Sequence, residues 1–403
     1  MGVRRAGIRL GLALATAGLV SACSMGSFPS MGNFGTPRPS QDVPGAGQAM
    51  PTAAGQTVGK GPVRVAMLLP LSGDPALAGV GTAMSNSAQL AMSFIEANPN
   101  IAENITLVIK DTGPTAAGAA QKASEAVNEG ASLILGPLRA DQVQAAGGVA
   151  RSAGLTLIGF SNNTGAAAPG VFLLNVLPET EVRRSVGYVQ GQGKRSFAAI
   201  VPTTAFGRIQ EGAFRQAVAD LGLTPRAIYS FTSQAEAEAA VKQAAPFLKD
   251  GSIDALFIPD RATATSLATF LFDAGIPPGK VQLIGSADWD GDTQIVNAPY
   301  LAGAIYPSVD GSGLAAIRGD YQARFGGQPH PLSTIAYTAT LLANTSSLAL
   351  GNPRYDRTQL VRDSGFNGRD GLFRFQADGR SDYALVIKRV GNGSAQQVDG
   401  PKL

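Results

Sequence analysis

The chain has 403 residues, 15% of them charged, with one cysteine, one histidine and a formal net charge of +3. A single cysteine excludes an internal disulfide framework, and a single histidine excludes a multi-histidine zinc site. A chain this long exceeds what one hydrophobic core usually serves, so two lobes are expected.

The N-terminus reads as a targeting segment. Arg4, Arg5 and Arg9 precede an apolar run over residues 10–20, too short to span a bilayer, which needs about 20 apolar residues. Ser21, Ala22 and Cys23 follow, the order expected of a secretory signal peptide over residues 1–22. Val20-Ser21-Ala22-Cys23 resembles the bacterial lipobox, which implies acylation of Cys23 and a lipid anchor in a membrane. Ser24, not an aspartate, stands after the cysteine, and by the bacterial sorting rule that favours the outer membrane. Removing residues 1–22 removes three arginines and no acid, leaving 29 basic against 29 acidic side chains. A balanced chain has no overall field to draw nucleic acid, so no nucleic-acid partner is expected. Residues 23–60 are expected to be a flexible linker, rich in Gly, Pro and Ser with only Arg38, Asp42 and Lys60 charged.

From Gly61 onward, apolar strand-like runs alternate with helical patterns. Residues 63–69 form a strand stopped by Pro70. Met84, Ala88, Ala91, Met92 and Ile95 then recur at helical spacing. Strands over 105–109, 133–135 and 155–160 alternate with helices carrying Ala116 to Val127 and Ala140 to Ala153. A second series begins after Pro178, with strands over 196–201, 227–231, 255–259 and 281–285. Its helices are expected over 206–221, 235–248 and 262–274. This pattern predicts an α/β fold of two doubly wound lobes with mostly parallel sheets. The C-terminal part reads as helices over 314–325 and 334–350, then a hairpin of 372–375 with 383–390 around Asp378-Gly379. Such a tail is placed most simply if the chain returns to the first lobe and crosses again. The expected division is 61–177 with 308–352 for lobe 1, and 178–307 with 353–403 for lobe 2.

Several stretches then resemble the leucine-binding-type (type I) periplasmic binding proteins. They are residues 65–73 (VAMLLPLSG), Asp111, Leu135-Gly136-Pro137, residues 158–162 (IGFSN), Phe206-Gly207 and residues 365–379 (GFNGRDGLFRFQADG). The resemblance implies two lobes joined by three crossings, a ligand in the cleft, and no catalysis. It also implies a small polar, amino-acid-like ligand passed to an ABC-type permease. A lipid-anchored subset of the family activates penicillin-binding proteins, which gives a second expectation for partner and function. By position, Ser161 and Asn162 are candidates for the ligand carboxylate, Asp260 or Asp288 for its ammonium, and Ser72 for a further ligand contact after the first strand. Phe206 stands where the family often has a tyrosine, so it can cover a ligand but not donate to it. Arg139, where a serine is common, is a candidate partner for a larger anion.

Plainer roles compete at each position. Ser72 can simply turn the chain, Arg139 can be a solvated helix-start residue, Ser161 and Asn162 can cap a turn, and Asp260 can cap the helix after it. Asp288, Asp290 and Asp292 alternate like a calcium loop, but Gly291 precedes the third aspartate, and a solvated loop is expected. Trp289 is expected at the cleft rim. His330, between Pro329 and Pro331, reads as a surface turn, and no G-x-S-x-G elbow is present for it to serve. Gly191 to Lys194 and Gly79 to Gly81 are incomplete phosphate-loop and dinucleotide fingerprints. No cofactor and no metal are expected.

Overall fold

The computed structural model describes residues 52–403; the predicted signal segment, Cys23 and the linker through residue 51 lie outside the described residues. Among the described residues no helix is long and apolar enough to cross a membrane.

The first lobe is built from β1 (Gln56–Val58), β2 (Val63–Leu69), α1 (Pro75–Ala97), β3 (Ile105–Asp111), α2 (Ala116–Asn128), β4 (Leu133–Leu135), α3 (Ala140–Ser152), β5 (Thr156–Gly159) and β6 (Val171–Leu173). Its sheet order is β1-β3-β2-β4-β5-β6, with only β1 antiparallel. Every residue of β2 is buried, as a central strand covered on both faces requires. Asp74 starts α1 by accepting the Leu77 N–H at 2.8 Å, with Pro75 at the first helical position. Met84, Ala88, Ala91, Met92 and Ile95 form its buried stripe, the spacing read from the sequence.

The second lobe follows with α4 (Pro178–Gly191), β7 (Phe197–Pro202), α5 (Ala205–Asp220), β8 (Ala227–Phe231), α6 (Gln234–Lys249), β9 (Ala255–Phe257), α7 (Arg261–Asp273), β10 (Gln282–Ile284), α8 (Thr293–Val296) and β11 (Ile305–Ser308). The chain then runs through α9 (Ser312–Phe325), α10 (Ser333–Ala343), α11 (Ser346–Ala349), α12 (Arg357–Leu360), β12 (Phe366–Gly368), β13 (Gly371–Phe375), β14 (Ser381–Tyr383), β15 (Leu385–Val390) and β16 (Ala395–Lys402). The second sheet has the order β16-β15-β11-β10-β9-β7-β8, parallel from β8 to β11, with β15 and β16 antiparallel at one edge. β12, β13 and β14 make a separate small antiparallel sheet. The fold is therefore mixed α/β with two mostly parallel sheets, joined by the segments before α4, between β11 and α9, and at Ala384.

Four details depart from the sequence reading. First, the stretch 353–383, expected in lobe 2, packs into the first core: Phe366, Phe373, Phe375 and Tyr383 share one cluster with β2, β3 and Phe172. Only residues from Leu385 on pair in the second sheet. Secondly, the expected hairpin splits at Ala384. β13 pairs with the short β14, while β15 pairs with β11 and β16. The turn between β13 and β14 docks on β6, where the Gly379 carbonyl accepts the Leu173 N–H at 2.8 Å. A Cβ at Gly379 would lie 2.2 Å from the Val171 carbonyl oxygen, and its φ is +91°, so glycine is required.

Thirdly, the linker assigned to 23–60 ends earlier. β1 adds to the edge of β3, and the buried Lys110 ammonium ties it down by donating to the Ala54 carbonyl at 2.5 Å and to Glu129 at 2.9 Å. Fourthly, Trp289 is not at a rim. It is fully buried in the second core, its ring over Gly285 and 6.3 Å from that of Tyr306.

Candidate ligand-binding groove

In doubly wound sheets, ligands sit beyond the carboxyl ends of the parallel strands. Here the ends of β5, β7 and β10 open onto one groove of about 440 Å³, lined by Asn162, Pro178, Glu181, Phe206, Ile209, Gln210, Ser286 and Asp288. Asn162 comes from the first lobe, and the others from α4, α5 and the turn after β10.

Local chemistry places each wall. After β5, Ser161 is buried and its hydroxyl oxygen accepts the Asn163 N–H at 3.1 Å. The Asn163 carboxamide then accepts the Gly165 N–H at 2.9 Å. These two local bonds turn the chain and leave Asn162 exposed to the groove. On α5, the Thr204 side chain caps the helix through the Gly207 N–H at 3.1 Å. Gly207 lets the helix approach β7 closely, since a Cβ there would lie 1.8 Å from the Pro202 carbonyl oxygen. Phe206, half-buried, then faces the groove beside Ile209 and Gln210. After β10, the Ser286 hydroxyl donates to the Pro259 carbonyl at 2.7 Å and accepts the Asp288 N–H at 3.3 Å.

Of the residues singled out from sequence, Asn162, Phe206 and Asp288 line this groove, and four do not. Ser72 is exposed after β2 and serves Asp111. Burial pulls the Asp111 carboxyl up, but hydrogen bonds from the Ser72 side chain and the Gly113 and Leu71 amides outweigh it and hold the carboxyl below its ordinary value. Arg139 occupies the N-cap position of α3 and forms a two-pronged pair with Asp141, at 3.0 and 3.2 Å. Ser161 is spent on its own turn. Asp260 stands at the N-cap of α7, but its carboxylate accepts the Thr263 hydroxyl at 2.7 Å instead of a backbone amide. The other two aspartates of the apparent calcium pattern are also engaged in the fold. Asp290 accepts from Tyr306, Ser308 and Lys388, and Asp292 caps α8. No metal-ligating cluster occurs among the described residues.

Pro178, Glu181, Ile209, Gln210 and Ser286 line the groove without having been singled out from sequence, and Glu181 and Gln210 bring its buried carboxyl and carboxamide. Glu181 is buried on α4, where its carboxyl accepts the Ala287 N–H at 3.4 Å. Burial pushes its pKa up to about 7; the Ala287 N–H and the Gln210 side chain oppose this, while the charges of Asp288 and Glu179 add to it. Gln210 is 2% exposed, and its Oε1 has no hydrogen-bond partner. The available signal was helical. Pro178 at the first position with Glu179 and Glu181 behind it is a helix start, and Val182, Val186 and Val189 mark the buried face.

Residues 62–360 match the family described as periplasmic binding protein. The chain belongs to that family. Its members work outside the cytoplasm as binding proteins. A comparison with curated protein sequences finds no significant match. Among solved structures, one similar to this chain is a protein from Rhodospirillum rubrum assigned as a branched-chain amino acid ABC transporter. It has a TM-score of 0.70 and 17% identity, covering 83% of this chain and 99% of that one. An ABC transporter substrate-binding protein from Desulfitobacterium hafniense in complex with Leu has a TM-score of 0.60 and 18% identity, over 83% and 99% of the two chains. The LpoA (YraM) C-domain from Haemophilus influenzae, a regulator of PBP1A, has a TM-score of 0.62 and 16% identity, again over 83% and 99%. These likenesses establish the type I binding-protein fold.

Proposed function

We propose that this chain is an extracytoplasmic, lipid-anchored solute-binding protein that closes its lobes on a small polar, amino-acid-like ligand for an ABC-type permease. The observation that carries this reading is the groove itself, where Asn162 of the first lobe faces Glu181, Gln210, Ser286 and Asp288 of the second. Its volume of about 440 Å³ suits a metabolite of amino-acid size. The Leu complex of the Desulfitobacterium protein shares the fold. A ligand bound to the folded state alone raises stability by about 2.7 kcal/mol at a hundred times its dissociation constant. Thermal unfolding of the full-length protein in a dialysed metabolite extract should therefore shift upward, with contraction of the particle in small-angle X-ray scattering. An extract that changes neither would refute ligand binding.

The anchor belongs to the same proposal. Cys23 follows a signal-like segment, and acylation at that sulfur would hold the protein at a membrane, with the outer membrane favoured by Ser24. Changing Cys23→Ser should move nearly all of the protein from the membrane to the soluble fraction of fractionated cells. Retention at the membrane would disprove the anchor.

A second reading is that the chain is an outer-membrane lipoprotein that activates a peptidoglycan synthase. One observation favours it: among the described residues the first lobe contributes only Asn162 to the groove lining, while Arg139 pairs with Asp141 and Ser72 with Asp111. The LpoA C-domain shares the fold. Recovery of a penicillin-binding protein from crosslinked cells, without permease subunits, would favour this reading.

A further inference from the structure

The groove's polar lining is unbalanced. Its side chains offer the Glu181 carboxyl, the Gln210 carbonyl oxygen and the Asp288 carboxylate as acceptors. The Asn162 carboxamide is its one neutral donor group, while the Ser286 hydroxyl donates to Pro259, and among the described residues no lysine or arginine lines it. The donors nearest Glu181 are already used on it, namely the Ala287 N–H and the Gln210 side chain. That leaves Gln210 Oε1 buried without a partner, an arrangement that costs about 1–3 kcal/mol unless something donates to it. Asp288 is tied only loosely, with its carboxylate 3.7 Å from Arg261, which is shared with Asp292 at 3.7 Å. Such half-exposed pairs contribute little.

We infer that the groove selects a small ligand bearing a cationic N–H group, a protonated amine or a guanidinium, seated between Glu181, Gln210 and Asp288. The inference rests on the cleft-binding reading and names its ligand class and specificity-determining residue. A cation brings the donors that these three acceptors lack. An anion would meet two carboxyl groups, and Arg261, the cation 3.7 Å from Asp288, is not among the lining residues.

The same geometry couples binding to a proton. Glu181 is faced by Glu179 on its own helix, by Gln210 on α5, and by Ala287 and Asp288 after β10. No cation is among the groups acting on it: Arg183 of α4 pairs with Asp382 at 2.6 Å, Arg208 of α5 donates to the Thr203 carbonyl at 2.7 Å, and Arg261 lies 3.7 Å from both Asp288 and Asp292. Burial raises the carboxyl to about 7, so it is mostly protonated at pH 6 and mostly ionised at pH 8. An arriving cation favours the carboxylate, and the proton leaves to the buffer.

The test is isothermal calorimetry on the full-length protein with putrescine, L-arginine and succinate, in phosphate and in Tris, from pH 6 to pH 8. At least one cationic probe should bind, about tenfold more tightly at pH 8 than at pH 6. The two buffers should give heats that differ by the released proton. Glu181→Gln should abolish the proton release and weaken the cation at least tenfold. The half-exposed Asp288→Asn, which leaves the cores untouched, should weaken it about threefold. The inference is overturned if neither cation binds, if succinate binds as tightly, or if Glu181→Gln leaves affinity and proton release unchanged. Succinate or an extract component closing the lobes while both cations fail would sink this ligand class and leave the cleft reading standing. No response to any solute would remove the cleft reading itself.

Discussion

Replacing Phe373 with alanine is expected to cost about 3–5 kcal/mol of stability, the range for deleting a fully buried phenylalanine. The ring is completely buried, with centroids 5.7 Å from Phe366, 5.5 Å from Phe375 and 5.4 Å from Tyr383. Phe375 continues the contact to Phe172 on β6, at 5.2 Å. This cluster fastens the small sheet β12-β13-β14 to the first core, directly before the chain crosses to β15. The cavity left by alanine would thus fall where the third crossing is anchored, and a leucine at the same place should cost less because it keeps more of the volume. Urea titration at 25 °C measures both. A loss below about 1 kcal/mol for the alanine variant would mean that the sheet does not depend on this packing.

Asp370→Asn is expected to stabilise the protein at neutral pH and to change little near pH 4. Asp370, in the turn between β12 and β13, is buried, and burial pushes its carboxyl up to about 6, against the hydrogen bond from Thr334 at 2.8 Å. In the unfolded chain the same group titrates near 3.9. Between those values the folded state keeps a proton that the unfolded state has released. Stability therefore falls as pH rises from about 4 to about 6 and stays lowered above it, by about 3 kcal/mol for a shift of this size. The asparagine carries no charge, and its carbonyl oxygen can still accept from Thr334. Glu181 shifts in the same direction as Asp370, while Asp111 and Asp382 are lowered and act oppositely. Comparing the variant with the parent protein at each pH cancels those contributions. Urea midpoints at pH 4.5 and pH 7.5 provide the comparison, and an equal change at both would show that Asp370 ionises alike in the folded and unfolded chains.

The two acids lie in different parts of the molecule, and neither was legible from its neighbours in sequence. Asp370 reads as a polar residue in a glycine-flanked turn, yet Thr334 of α10 covers it. Glu181 reads as one more charge on an amphipathic helix, yet the turn carrying Ala287 and Asp288 lies against it. In both cases the burial that shifts the carboxyl is supplied by a segment dozens of residues away.

The amino-acid sequence alone determined the alternation of strand and helix, the stripe of Met84, Ala88, Ala91, Met92 and Ile95, and the two doubly wound sheets. Those are local properties, set by apolar periodicity, helix caps and turn residues within a few positions. Asn162, Phe206 and Asp288 reached the groove because strand ends in such sheets point at the cleft. The tertiary structure decided which sheet each later strand joins: residues 383 and 385 look alike as apolar strand positions, but one packs with Phe373 and the other pairs across from Lys402. It likewise decided that Trp289 fills a core and that Glu181 and Gln210 meet in the groove. A side chain's partners come from segments that the chain's path brings together, and no spacing along the sequence encodes that path.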